Sequence, residues 1–139
     1  MVQHVRDLMT TQLVTFAPDT PVRQAAQAMR EKDIGDVLVV DGGQVRGIVT
    51  DRDIVVRALA DRDDLTDCHL SDVCSDQLVT ATPDEDVDVA VTRMRESAVR
   101  RIPVVENGRP VGVLSLGDAA IDKDSRSGLA DISVARGNN

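Results

Sequence analysis

The chain repeats itself at a fixed spacing of 65 residues with no gap. Gly112 follows Gly47, Asp118 follows Asp53, Met94 follows Met29 and Pro83 follows Pro18, and 112 − 47, 118 − 53, 94 − 29 and 83 − 18 all give 65. The shared residues run from Asp7/Asp72 through Gln12-Leu13-Val14-Thr15/Gln77-Leu78-Val79-Thr80 and Met29-Arg30-Glu31/Met94-Arg95-Glu96 to Val39-Val40/Val104-Val105. Roughly a third of the aligned pairs are identical, far above chance for one register. A unit this short does not easily bury its own apolar face, so the two copies are expected to pack on each other. Any site in one copy then has a pseudo-symmetric counterpart in the other.

Each copy opens with a short apolar run, Leu13-Val14-Thr15-Phe16 or Leu78-Val79-Thr80-Ala81, closed by Pro-Asp. A helix is predicted next, with Thr20 as N-cap and Pro21 at the first helical position. Val22, Ala25, Ala26 and Met29 make one apolar stripe, and Val87, Ala90, Val91 and Met94 repeat it. A hairpin follows: Val37–Val40, a Gly42-Gly43 turn and Gly47–Thr50, matched by Ile102–Val105, an Asn107-Gly108 turn and Gly112–Ser115. A second helix is expected from Asp51 to about Ala60 and from Leu116 to about Lys123. The order is β-α-β-β-α twice over, an α+β domain of two pseudo-symmetric repeats packed through their small sheets. The expected boundaries are 1–62 for repeat 1, 63–69 for an Asp-rich linker, 70–123 for repeat 2 and 124–139 for a polar tail.

Composition narrows the function classes. Phe16 is the only aromatic residue in 139, so stacking platforms for single-stranded nucleic acid are lacking. A net charge of −8 would repel a phosphate backbone on average. No apolar run approaches transmembrane length and Met1-Val2-Gln3-His4 lacks a signal-peptide pattern, so a cytoplasmic protein without membrane contact is expected. Cys68, His69, Asp72 and Cys74 lie close in sequence, but zinc needs a clearer four-ligand set. Cys74 stands at the repeat position of Met9, which reads as a small buried apolar residue.

The junction between last strand and last helix carries the chemistry. It reads Gly47-Ile48-Val49-Thr50-Asp51-Arg52-Asp53 and Gly112-Val113-Leu114-Ser115-Leu116-Gly117-Asp118. A hydroxyl at a helix mouth suits a phosphate or ribose oxygen, and a carboxylate one turn on can accept two hydrogen bonds from a vicinal diol. Thr-x-x-Asp is also close to a capping box. A cap does not explain the preceding Gly and apolar pair recurring in both copies.

With these residues in view, the copies resemble a tandem pair of cystathionine β-synthase (CBS) domains, a Bateman module, over roughly residues 5–60 and 70–123. The resemblance rests on the Leu-Val-Thr-x-x-Pro-Asp opening, on the Val37–Val40 and Ile102–Val105 strands followed by Asp41 or Glu106, and on the Gly-x-x-Thr/Ser-x-x-Asp close. It implies a non-catalytic regulatory module that binds AMP, ADP, ATP, S-adenosylmethionine or NAD(H) in clefts between intertwined repeats, commonly as a disc-shaped homodimer. Carried onto this chain, Thr50 and Asp53 hold ligand oxygens in one site, with Leu78, Val79, Val99 and Arg100 lining it. Ser115 and Asp118 do so in the other, with Leu13, Val14, Ile34 and Gly35 around adenine. Where the second repeat has Arg100-Arg101-Ile102-Pro103, the first has Gly35-Asp36-Val37-Leu38. A polyphosphate is therefore expected to prefer the Ser115/Asp118 site, assisted by Arg101, leaving the other site to a less charged adenosine compound or empty.

Two other classes stand beside this one. In a ligand-free scaffold both closing motifs are merely caps and the chain serves dimerisation or a protein target. An enzyme would draw on Asp51-Arg52-Asp53, but the second copy lacks the extra carboxylate and no His lies near either motif. The cysteines have only His69 as a nearby base, so catalysis is not expected.

Overall fold

The computed structural model describes residues 3–75 and 77–120. The expected tail over 124–139 and the end of the last helix, 121–123, lie outside them. The described chain forms two compact units that are out of phase with the repeat. The first-hairpin unit spans 13–78, and the second-hairpin unit joins 3–12 to 79–120.

In the first-hairpin unit β1 (Thr15–Phe16) pairs parallel to β2 (Asp36–Asp41), which pairs antiparallel to β3 (Gln44–Thr50). In the second, β4 (Arg101–Glu106) and β5 (Arg109–Ser115) form a two-stranded antiparallel sheet. Both hairpins turn through two residues at positive φ, Gly42 (60°) and Gly43 (80°) or Asn107 (55°) and Gly108 (81°), the twist that suits a tight hairpin. Both also carry a register shift at the same place, Val39/Val40 and Val104/Val105.

The opening strand is shorter than the sequence suggests. Leu13 and Val14 precede β1, and in the second unit only Ala81 bridges to Val104. The difference between the two units follows from Pro103. In the first unit the Leu38 N–H donates to the Val14 carbonyl at 2.9 Å, whereas Pro103, its repeat counterpart, has no N–H to give.

Helix α2 (Val22–Lys32) buries Val22, Ala25 and Met29, and α5 (Val87–Glu96), the fifth helix in chain order, buries Val87, Ala90, Val91 and Met94, as the stripes predict. The N-cap of α2 is Pro21, not Thr20. Thr20 is occupied elsewhere: its carbonyl accepts the Leu70 N–H at 2.9 Å, while Pro21 bridges His69 in extended backbone. Helix α3 opens as Asp51–Asp53 and continues in π-helical geometry over Ile54–Leu59, closed by an Ala60 N–H to Val55 carbonyl bond of 3.1 Å. Residues 116–120 are helical at the equivalent place.

Two four-residue helices, α1 (Val5–Leu8) and α4 (Leu70–Val73), account for the phase shift. The backbone bonds Val5 N–H to Glu85 carbonyl, Arg6 N–H to Pro83 carbonyl and Val87 N–H to Gln3 carbonyl tie α1 to the second hairpin's unit. Leu70 to Thr20, Ser71 to Pro18 and Val22 to Cys68 repeat them in the other unit. Each core depends on this segment: Val5 is in one, Leu70 and Val73 in the other.

Candidate functional site

Thr50 ends β3 in extended backbone and starts α3 as its N-cap. Its Oγ1 accepts the Asp53 N–H at 3.1 Å, and Asp53 Oδ2 accepts the Thr50 N–H at 2.9 Å. The capping box anticipated from the sequence is thus complete. Asp53 Oδ1 lies 3.6 Å from Arg57 Nε. In the other unit the Asp118 N–H donates to Ser115 Oγ at 3.0 Å. All four residues are half-buried.

Capping does not use up these side chains. A hydroxyl that accepts one bond retains its proton to donate, and a carboxylate has lone pairs beyond the one the cap takes. Each pair can fix a helix mouth and still offer one donor and one acceptor outward.

Strand register places a different charge beside each pair. Asp36 is the cross-strand partner of Thr50, and Arg101 is that of Ser115. One residue earlier, the Gly35 carbonyl accepts the Asp51 N–H at 3.0 Å and the Arg100 carbonyl accepts the Leu116 N–H at 2.8 Å. Gly35 and Arg100 therefore sit at the helix mouths of their own units through their backbones. Leu13, Val14, Ile34, Gly35 and Leu78 fall in the unit of Thr50 and Asp53, whereas Val79, Val99, Arg100 and Arg101 fall in that of Ser115 and Asp118. Leu13, Val14, Ile34, Val79 and Val99 are half-buried, Gly35 is buried and Leu78 is exposed.

The structure gives the motif glycines a packing reason. A Cβ on Gly112 would lie 2.6 Å from Met9 Sδ and 2.9 Å from the Thr10 carbonyl oxygen. A Cβ on Gly47 would collide with Cys74 Sγ. Met9 and Cys74, the repeat-equivalent pair, each end a short helix and press sulfur onto a strand that only glycine leaves open. Cys74 packs against the core as its repeat position suggested, but half-buried rather than buried.

Neither cysteine is in a disulfide. Cys68 is fully buried, and burial pushes its thiol pKa up; Arg62 opposes this and Asp72 reinforces it. A thiol held protonated is a poor nucleophile. Among the described residues no group of three or more His, Cys, Asp or Glu is placed to hold a metal ion. No described helix is long and apolar enough to cross a membrane.

The sequence reading passed over two further boxes. The His4 N–H donates to Asp7 Oδ2 at 3.1 Å and the His69 N–H to Asp72 Oδ2 at 2.9 Å, opening α1 and α4. The signal was available: the chain's two histidines are themselves one repeat apart, since 69 − 4 = 65.

Two hairpin-and-helix units, each closing on a hydroxyl–carboxylate pair, define a tandem regulatory-domain architecture. The CBS-domain profile matches residues 5–59 and 70–120, and the chain belongs to the CBS-domain family. It is 37% identical over 134 residues to the CBS domain-containing protein YhcV of Bacillus subtilis, covering 93% of this chain and 94% of that one. It resembles a hexameric CBS-CP12 protein from bloom-forming cyanobacteria at 25% identity and a TM-score of 0.81, over 91% of this chain and 75% of the other. A CBS domain pair solved with 5'-methylthioadenosine and S-adenosyl-L-methionine matches with a TM-score of 0.80 over 91% of this chain and 99% of that one. At 24% identity that last likeness is one of fold. CBS-domain proteins are generally regulatory modules rather than enzymes.

Proposed function

We propose that this chain is a non-catalytic sensor of adenosine-containing ligands, acting in the cytoplasm as a homodimer whose state is read by a separate protein. The observation that carries the reading is the hydroxyl–carboxylate pair at a helix mouth, present in both units and keeping a donor and an acceptor beyond its cap. Thr50 and Asp53, and Ser115 and Asp118, are the ligand-holding residues. The carboxylate receives ribose hydroxyls and the hydroxyl donates toward ribose or phosphate oxygen. Candidate ligands are AMP, ADP, ATP, S-adenosylmethionine and NAD(H). The Arg101 side favours a phosphate-bearing ligand, and Asp36 beside Thr50 disfavours one. Such a ligand acts only through its differential affinity for two arrangements of the module.

The complete box at Thr50 and Asp53 favours one rival, a ligand-free scaffold in which both motifs only cap helices. Thermal unfolding separates the two. The chain has no Trp or Tyr, so circular dichroism is the probe. Ligand at about 100 times its dissociation constant adds roughly 2.7 kcal/mol, which for a domain of this size raises the midpoint by about 5–10 °C. A shift confined to adenosine compounds and lost in Asp53→Ala or Asp118→Ala is expected. No shift with any of them at millimolar concentration would leave the scaffold.

A further inference from the structure

The second unit's opening segment is fastened differently from the first's. The two run in the same register, since Phe16 lies opposite Val39 and Ala81 opposite Val104, and 81 − 16 and 104 − 39 both give 65. In the first unit Thr15 also pairs with Leu38, whose N–H reaches the Val14 carbonyl at 2.9 Å. In the second, Pro103 stands at the place of Leu38 and can offer Val79 no such bond. The backbone contact there is Ala81, whose N–H donates to the Pro103 carbonyl at 3.1 Å and whose carbonyl accepts the Val105 N–H at 2.8 Å.

The residues on either side of Ala81 are gripped by side chains instead. Arg93 Nη1 donates to the Thr80 carbonyl at 2.8 Å, and Glu85 Oε2 accepts the Thr82 N–H at 2.7 Å. Arg93 and Glu85 are themselves joined by two bonds, Nη1 to Oε2 at 3.1 Å and Nη2 to Oε1. Both are half-buried, where charged bonds are screened less than in open solvent. Neither is duplicated: one repeat earlier the positions read Ala28 and Thr20. The clip occurs in the unit that lacks the ladder bond and has no counterpart in the one that keeps it.

We propose that Arg93 is a positioning residue, doing through the Thr80 carbonyl and Glu85 what the Leu38 N–H does in the first unit: holding the opening segment on its sheet. Val79 directly precedes Thr80, so the clip sets where this lining residue presents itself to an adenosine compound. That last step rests on the ligand reading of the preceding subsection; the clip itself does not.

Amide hydrogen exchange on the full chain, followed by NMR, tests the clip. Arg93→Met is expected to speed exchange at Ala81 and Val105 by more than about tenfold, as the loss of charge-assisted bonds should. Val113, bonded to Thr10 on the opposite edge of the same sheet, is expected to stay within about twofold. Adding Pro103→Ala restores an N–H opposite Val79 and is expected to bring the rates back toward wild type. Arg93→Lys keeps the charge and loses the fork, so it is expected to fall between, and it decides the matter if Arg93→Met does not fold. Unchanged rates at Ala81 and Val105, a uniform rise at every amide, or no rescue by Pro103→Ala would overturn the clip. Calorimetric titration with AMP, ATP and S-adenosylmethionine tests the second step, with binding expected to weaken about tenfold in Arg93→Met and to recover in the double variant. Binding that Arg93→Met leaves as tight would overturn the positioning of Val79. No binding to the wild type would overturn the ligand reading, and with it that second step, while the exchange rates still decide the clip.

Discussion

Replacing Gly112 by alanine tests whether the short helices are held by sulfur packed onto a bare strand. The new Cβ would meet Met9 Sδ at 2.6 Å, Met9 Cγ at 2.9 Å and the Thr10 carbonyl oxygen at 2.9 Å. The methionine can swing away, but the carbonyl cannot. Thr10 is bonded both ways to Val113, N–H to carbonyl at 2.9 Å and carbonyl to N–H at 3.0 Å, so relieving the clash strains or breaks that bridge. Overpacking costs about 1–3 kcal/mol and a lost backbone bond about 1 kcal/mol, against a gain of at most about 1 kcal/mol from replacing glycine in a strand. The net expectation is roughly 2 kcal/mol, or about 4–8 °C in the thermal midpoint followed by circular dichroism. Gly47→Ala is the internal control. Its nearest neighbours are Cys74 Sγ and Cβ, side-chain atoms only, and one χ1 rotation can clear the sulfur. It should cost under about 1 kcal/mol. If Gly47→Ala proves the more damaging, or Gly112→Ala is neutral, backbone crowding at Thr10 is not what fixes the glycine.

Two further outcomes follow from the same contacts. Glu85 is held below the ordinary glutamate range, first by its bidentate pairing with Arg93 and also by the Thr82 N–H, which donates to Oε2 at 2.7 Å. A depressed carboxylate contributes stability that is complete above about pH 4.3 and lost as pH falls through the lowered folded value. Glu85→Gln should therefore cost about 1 kcal/mol in urea unfolding at ~pH 7 and close to nothing near pH 2, the pair being part-exposed; an equal loss at both pH values would refute it. Separately, a fragment of residues 13–78 holds every member of the first-hairpin core, whereas 1–62 lacks Cys68, Leu70 and Val73. Cooperative unfolding is expected of the first and not of the second, and a cooperatively folding 1–62 would show that the repeat, not the out-of-phase unit, is the folding element.

The parts of the fold that were legible are those with a local signature. The stripes of α2 and α5 follow from 3.6-residue spacing, and both hairpins from two-residue turns whose Gly and Asn tolerate positive φ. What stayed hidden depends on partners distant in sequence. Nothing near Thr20 says that its carbonyl is claimed by Leu70, so the local signal puts the cap one residue early. Nothing near Leu13 says that its strand lasts only while a facing N–H is available, as at Leu38, and fades where Pro103 withholds one. Helices α1 and α4 are too short for periodicity to register, though the paired His4/Asp7 and His69/Asp72 boxes mark both starts. The cap bonds at Thr50/Asp53 and Ser115/Asp118 were legible because a capping box is local. The charges beside them were legible too, from the break between the copies at 35–38 and 100–103, and strand register sets Asp36 opposite Thr50 and Arg101 opposite Ser115.

This separates two kinds of repetition within the chain. The positions kept between copies have packing reasons: Gly47 and Gly112 admit a sulfur, the paired valines carry the register shift, and the boxes start helices. Their identity argues for a shared scaffold; the ligand proposal rests on the donor and acceptor that the boxes keep beyond their caps. The positions that differ sit where the scaffold leaves freedom. Asp36 against Arg101 changes the sign of charge beside the hydroxyl, by a full two units of charge at one register position. In an effective dielectric of about 20, a unit charge roughly 6 Å away is worth about 3 kcal/mol before screening, so the proposed preference of a phosphate for the Ser115 side is large enough to measure. A duplicated chain whose copies agree in scaffold and disagree in charge is what the proposed pair of unequal sites requires.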